Sequence, residues 1–192
     1  MEEPLYTEQM LMDAVNILLE TINEEPIEDP EDYDNIIEAR QARSKVVEVK
    51  RAVLSEEWDF NRDENFTFPL TVDNEVVVPT NVLDITANNA DVIMRNWKLY
   101  SKSNQSYVFE EEVPATVVWD LDFNSITHPL RHYITIRASR IFQARRIGDE
   151  KALRYNAVDE QSALLAARRS ESRTGQYNML TSDYGIDNRV RS

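Results

Sequence analysis

The sequence predicts an α+β protein: an α-helical bundle formed by N- and C-terminal helices, an inserted, mostly antiparallel β-domain, and an extended C-terminal arm. Three observations lead there. Apolar residues recur at helical spacing at both ends of the 192-residue chain. Between them lie short runs rich in Val, Thr and aromatics, punctuated by Pro, Asn and Asp. After residue 174 all periodicity is lost.

The first helix is predicted over residues 7–22. Thr7 is placed to cap it, and Leu11, Ala14, Val15, Leu18, Leu19 and Ile22 form one apolar stripe. The stretch "NEEPIEDPED" then supplies two prolines and six acids, which read as an exposed acidic linker. A second helix is expected from Pro30 to about Trp58, burying Ile36, Ile37, Ala39, Val46, Val47, Val53 and Leu54. Residues 1–58 thus form the first part of the bundle. Residues 59–126 carry the β-pattern, five or six strands, in "FTFPL", "EVVVP", "VLDIT", "ADVIMRNWKLYS", "SYVFEE" and "ATVVWDLDF". Helices return over residues 127–173. Leu130, Tyr133, Ile134, Ala138, Ile141 and Phe142 face the core, Gly148 closes the first helix, and a further helix spans residues 149–173. Residues 174–192 are expected to be the arm.

Composition removes several function classes. There is no cysteine, which excludes disulfides, thiol catalysis and Cys-ligated zinc. Three glycines are too few for a glycine-rich phosphate loop. No apolar run approaches the ~18 residues of a membrane span, and "MEEPLYTEQM" lacks the basic and apolar regions of a secretory signal. His128 and His132 are one helical turn apart, but no third histidine exists, and they read as a capping and a surface residue. The acids of "EEPIEDPED" lack the alternating order of a calcium loop. No G-x-S-x-G elbow is present. No catalytic, cofactor or metal residue is therefore nominated.

Charge is the informative feature. The net charge is −14, yet residues 1–130 hold 28 acids against 9 Lys+Arg, while residues 131–192 hold 7 against 12. An acidic and a basic part suit head-to-tail contact between copies; helical faces that simply differ in charge would look the same. Arg137, Arg140 and Arg145 lie near one helical face, with Arg146 beside them. Pairing with acids on a neighbour fits them better than DNA, which so acidic a chain repels.

The segment "YITIRASRIFQARRIGDE" resembles the aromatic-[IV]-T-x-[KR]-A-S-R-x-F-Q-x-R-x-x-G pattern of the tail tubular protein A family of short-tailed bacteriophages. "AVNILLETINEEPI" is similar to that family's opening helix and turn, "WDFN" to its W-x-F-N, and "YNML" to a motif near its C-terminus. The four fall in register over almost the whole chain. The β-region matches only in character. The resemblance implies a structural virion protein without catalysis, an adaptor or gatekeeper. Twelve copies would form a ring beneath the portal protein and join it to the nozzle, tail tubular protein B. Double-stranded DNA would pass through the bore without specific binding, and tail fibres would attach nearby. On this reading Arg137, Arg140, Arg145 and Arg146 serve subunit or portal contacts. Tyr177, Asn178, Met179 and Leu180 are the portal-docking part of the arm. Trp97, Tyr100, Tyr107 and Phe109 are a nozzle-facing surface. Two other classes stay open: a carboxylate-dependent carbohydrate hydrolase acting at the cell envelope, which needs an acid of raised pKa, and a DNA-binding module on residues 131–173.

Overall fold

The computed structural model describes the backbone of residues 6–56, 58–146 and 150–183, and the side chains of residues 9–56, 58–146 and 157–173. It is α+β and falls into two compact units, Met1–Lys50 with Asp122–Ser192, and Arg51–Leu121.

In the first unit, α1 runs Tyr6–Glu20, so Thr7 lies inside the helix rather than at its cap. Ala14, Val15, Leu18 and Leu19 of the stripe are buried, while Leu11 and Ile22 are half-buried and Met12, outside the stripe, is buried beside them. The helix closes on Asn23, at φ 57°. The Glu24 N–H donates to the Leu19 carbonyl at 3.1 Å and the Asn23 N–H to Glu20 at 3.1 Å. This pair of bonds around a left-handed residue is how a chain satisfies the last carbonyls of a helix. The acidic stretch that follows is not wholly exposed. Asn16 grips Ile27 from both sides, its amide donating to the Ile27 carbonyl at 3.0 Å and its oxygen accepting the Ile27 N–H at 2.9 Å. Ile27 is buried.

The expected second helix is interrupted. A short α2, Asp32–Asn35, buries Tyr33 and ends where Ile36 turns extended, φ −106° and ψ 116°. α3 then runs Ile37–Leu54. Two adjacent β-branched residues at the break tolerate the extended conformation well. The break leaves Ile36 and Ile37 exposed, at 40 and 59 %, instead of buried. Farther along, Ala39, Ala42, Val46, Val49, Val53 and Leu54 are buried, while Val47 is only half-buried.

α4 spans His128–Arg146, with Leu130, Tyr133, Ile134, Ala138 and Phe142 buried. It packs on α1 and on α5, Glu150–Asp183. Ala163 and Ala167 give α5 a narrow buried edge, which lets two helices approach closely. Gly148 lies outside the described residues. The arm is a correction: the backbone of residues 174–183 continues as helix. Extending a formed helix costs little once nucleated. Gln176, Met179 and Leu180 are good helix formers, and no proline intervenes before Asp183. Residues 184–192 lie outside the described residues.

The second unit is antiparallel throughout its named strands. β1 (Arg62–Phe66), β5 (Ala115–Trp119) and β2 (Val82–Ala87) form a three-stranded sheet in that order. β3 (Val92–Arg95) and β4 (Lys98–Ser101) form a hairpin. Arg62 faces Val118 and Phe66 faces Ala115, so β1 carries a bulge between Asp63 and Phe66. Asn65, at φ 55°, supplies it. Phe68, Val76, Val78, Val82, Leu99 and Val117 lie in one buried core.

The motif "WDFN" joins the end of α3 to this sheet. Asn61 is 1 % exposed. Its amide donates to the Leu54 and Trp119 carbonyls, both at 3.0 Å, and its oxygen accepts the Trp58 N–H at 3.0 Å. The Trp58 indole donates to the Val53 carbonyl at 2.8 Å. Side chains thus cap the last two carbonyls of α3, of which that of Val53 also accepts the Glu56 N–H at 3.0 Å.

Candidate functional site

Three surfaces hold the residues nominated from sequence. On α4, the arginines meet partners in their own chain. Arg140 Nε donates to the Glu160 carboxylate. Arg137 Nε lies 3.8 Å from the same group, and its Nη1 donates to the Tyr133 hydroxyl at 2.8 Å. One carboxylate on α5 therefore serves two guanidiniums on α4, which fixes the register of the two helices. Arg146 donates to Gln41 Oε1, lies 3.7 Å from Glu38, and covers the Phe142 ring at 5.8 Å. These acids stand where a neighbouring subunit's were expected.

Arg145 differs. It is exposed, and with Gln41, Ser44, Lys45, Glu48, Phe142 and Arg146 it lines a cleft of about 360 Å³. Lys45 is buried and donates to Glu48. That hydrogen bond holds the Glu48 carboxyl below its ordinary value, against desolvation, which opposes it and outweighs either nearby charge; the charges of Lys45 and Arg145 add to the lowering.

The second surface is the β3–β4 hairpin. Asn96 and Trp97 form its two-residue turn, at φ 54° and 58°. Such a turn needs two left-handed residues and favours Asn-Gly. A tryptophan there is conformationally costly, by about 1–2 kcal/mol. Its ring is 47 % exposed, and its carbonyl accepts the Val78 N–H at 2.8 Å. Tyr100 and Tyr107 pack ring to ring at 4.9 Å, and Arg95 lies 4.8 Å over Tyr100. Phe109 is placed differently: it packs against the β-core, half-buried. Sequence reasoning missed Ile93, Val77 and Val108, which are 39, 46 and 53 % exposed. Ile93 pairs with Tyr100, and the period of two around buried Val92 and Leu99 was the signal that turns both outward.

The third set, Tyr177, Asn178, Met179 and Leu180, lies on the backbone of α5. Their side chains are outside the described residues.

The chemistry available elsewhere is sparse. His128 and His132 share a cleft of about 270 Å³ with Asp13 and Arg131, but among the described residues no group of three His, Cys, Asp or Glu could hold a metal. Among the described residues, the two carboxylates whose pKa clearly moves, Glu48 and Asp91, both move down. A hydrolase acid needs the opposite shift. Among the described residues no helix is long and apolar enough to cross a membrane.

A family described as tail tubular protein matches residues 12–177. The chain is 30 % identical over 117 residues to tail tubular protein A of Klebsiella phage KP34, covering 60 % of this chain and 61 % of that protein. The chain thus spans less than two thirds of the length of that relative. The family match covers both units and reaches from α1 into α5, and on that ground the chain belongs to the tail tubular protein family, structural proteins of phage tails.

Proposed function

We propose that this protein is a ring-forming adaptor of the virion, joining the portal to the tail nozzle. The observation that carries the reading is the family match across residues 12–177. Charge supports it: an acidic part and a basic part on one chain suit head-to-tail closure into a ring, and a net charge of −14 suits a bore through which DNA slides without being held. The ring would hold twelve copies, with tail fibres attached nearby. Tail tubular protein B would meet the face formed by exposed Trp97 and half-buried Tyr100 and Tyr107, with Phe109 buttressing it from the core side. The portal would meet the end of α5 around Tyr177, Asn178, Met179 and Leu180. Arg137, Arg140 and Arg146 hold the helical unit in shape for these contacts, and Arg145 is left to make one. No chemical step is required.

The test is sedimentation of the purified chain, alone and mixed with its phage's portal ring. A large stable complex with the portal is expected. A chain that stays monomeric and ignores the portal refutes the adaptor reading. Loss of portal binding on deleting residues 175–192 is expected too, and unchanged binding refutes that role for the end of α5.

A further inference from the structure

The cleft beside Arg145 has a complement on the same chain. Its cations are Lys45, Arg145 and Arg146, set against Glu48 on its wall and Glu38 beside Arg146. Lys45 and Arg146 are already engaged; Arg145 is exposed, acts on Glu48 through its charge, and its side chain makes no hydrogen bond or ion pair among the described residues. Residues 24–34 carry seven acids and no Lys or Arg. Six of these side chains, Glu24, Glu25, Glu28, Asp29, Glu31 and Asp34, are exposed.

This acidic segment is preorganised. Asn16 clamps it at Ile27, prolines 26 and 30 restrict its backbone, and Asp29 accepts the Glu31 N–H at 2.9 Å. A segment already ordered loses little entropy on docking. Among the described residues, no ion pair of the chain reaches the carboxylates of residues 24–34. Their charge is therefore available to another molecule.

We propose that the cleft formed by α3 and the end of α4 receives the acidic segment 24–34 of a second copy, with Arg145 as the central cation. The match of charge selects this occupant: an exposed Arg145 guanidinium with no hydrogen bond or ion pair among the described residues, and Ser44 and Gln41 as hydrogen-bonding groups lining the same cleft, face a run of carboxylates that no ion pair among the described residues reaches. The two surfaces are different patches of one chain, so the contact is heterologous and propagates from copy to copy. This deepens the ring reading and rests on it, by naming the residues through which neighbours engage.

The absence of cysteine gives a direct test. Two full-length variants, Ser44→Cys and Glu25→Cys, are mixed under oxidising conditions, with each alone as control. A covalent dimer forming at least about tenfold faster in the mixture is expected. In parallel, Arg145→Glu should weaken self-association about tenfold or more in sedimentation, alone or on the portal ring, with an unchanged circular dichroism spectrum. Mixing it with a Glu28→Lys/Asp29→Lys copy should restore part of that loss. If wild type assembles, Arg145→Glu assembles equally well and no mixed dimer forms, this contact is overturned while the adaptor reading stands. If Arg145→Glu loses only the nozzle or portal, the cleft serves another tail protein and the proposal is likewise overturned. A wild type that never assembles, with or without portal, removes the adaptor reading and this contact together.

Discussion

Replacing Asn61 by alanine removes three hydrogen bonds at once, each 3.0 Å long, from a residue 1 % exposed. Each bond contributes about 1 kcal/mol net, and a buried group left without a partner costs about 1–3 kcal/mol. The stranded groups are the Leu54 and Trp119 carbonyls and the Trp58 N–H. A loss of about 3–4 kcal/mol is expected, a large part of the stability of a small unit. Asn61→Asp is the sharper probe. It keeps the volume but points oxygens at two carbonyls, and the loss should be at least as large. The assay is urea unfolding followed by tryptophan fluorescence. Trp58, Trp97 and Trp119 all lie within Arg51–Leu121, so the signal reports that unit. With a slope of about 1–1.5 kcal/mol/M, the midpoint should fall by about 2–4 M, or the unit should be unfolded in water. A midpoint lowered by less than about 0.5 M, at unchanged slope, would refute the view that Asn61 ties the Leu54 end of α3 to the sheet within this unit.

Other outcomes follow from the same geometry. Glu160→Gln should weaken α4–α5 packing by roughly 1 kcal/mol, a small figure because Arg137 and Arg140 are about a third exposed; the helical signal should then melt a few degrees lower, and an unchanged melt would contradict the two-arginine clasp. Asp91 accepts the Ser101 and Ser103 hydroxyls at 2.8 and 2.7 Å and the Ser103 N–H at 2.9 Å. The Ser103 hydroxyl is the first cause of its lowered pKa, followed by Ser101. A depressed carboxyl stabilises above its ordinary value near 3.8 and loses that contribution as pH falls through the lower folded value. The β-unit should therefore weaken on acidification below about pH 4, and Asp91→Asn should flatten that dependence; an identical pH profile would exclude the role. Trp97→Gly suits the φ of 58°, so relief of strain should offset much of the lost half-burial. Unfolding should move by no more than about 1 kcal/mol while nozzle binding drops tenfold or more, and retained binding would remove Trp97 from that surface.

Legibility in the sequence tracked how local each cause is. The stripes of α1 and α4 were readable because burial follows a fixed 3.6-residue period, and Leu18, Leu19, Ile134 and Ala138 are fully buried. Ile36 and Ile37 were misread because they are apolar and in phase with the helix pattern, yet the chain breaks between them and both face outward. The continuation of α5 past residue 174 was hidden by Gly175 and a polar composition, which lower helix propensity without forbidding helix. The arginine spacing on α4 was visible, but its partner Glu160 sits twenty residues beyond Arg140, on another helix, and no periodicity links the two. Asn96 announced a turn; that Trp97 shares its left-handed conformation is set by the pairing of Arg95 with Lys98. Phe109 looked like its aromatic neighbours and differs only in which side of the strand pairing it occupies.

In three of the four segments that carry the family resemblance, several residues are framework. Asn16 and Ile27 close the turn after α1, Trp58 and Asn61 seal the end of α3, and Arg137 and Arg140 clasp Glu160. Each is occupied within its own chain, and a side chain so engaged has little left to offer a partner. The groups with capacity to spare among the described residues are the carboxylates of residues 24–34, the hairpin tip at Trp97, which lies outside every one of those motifs, and the guanidinium of Arg145, which lies inside the motif on α4. A polar group that satisfies its own fold fixes shape, and one left unsatisfied at the surface is available for assembly. On the adaptor reading proposed above, the framework residues of the motifs would set the shape of the subunit, and the surface groups left over, Arg145 of the α4 motif among them, would choose its neighbours.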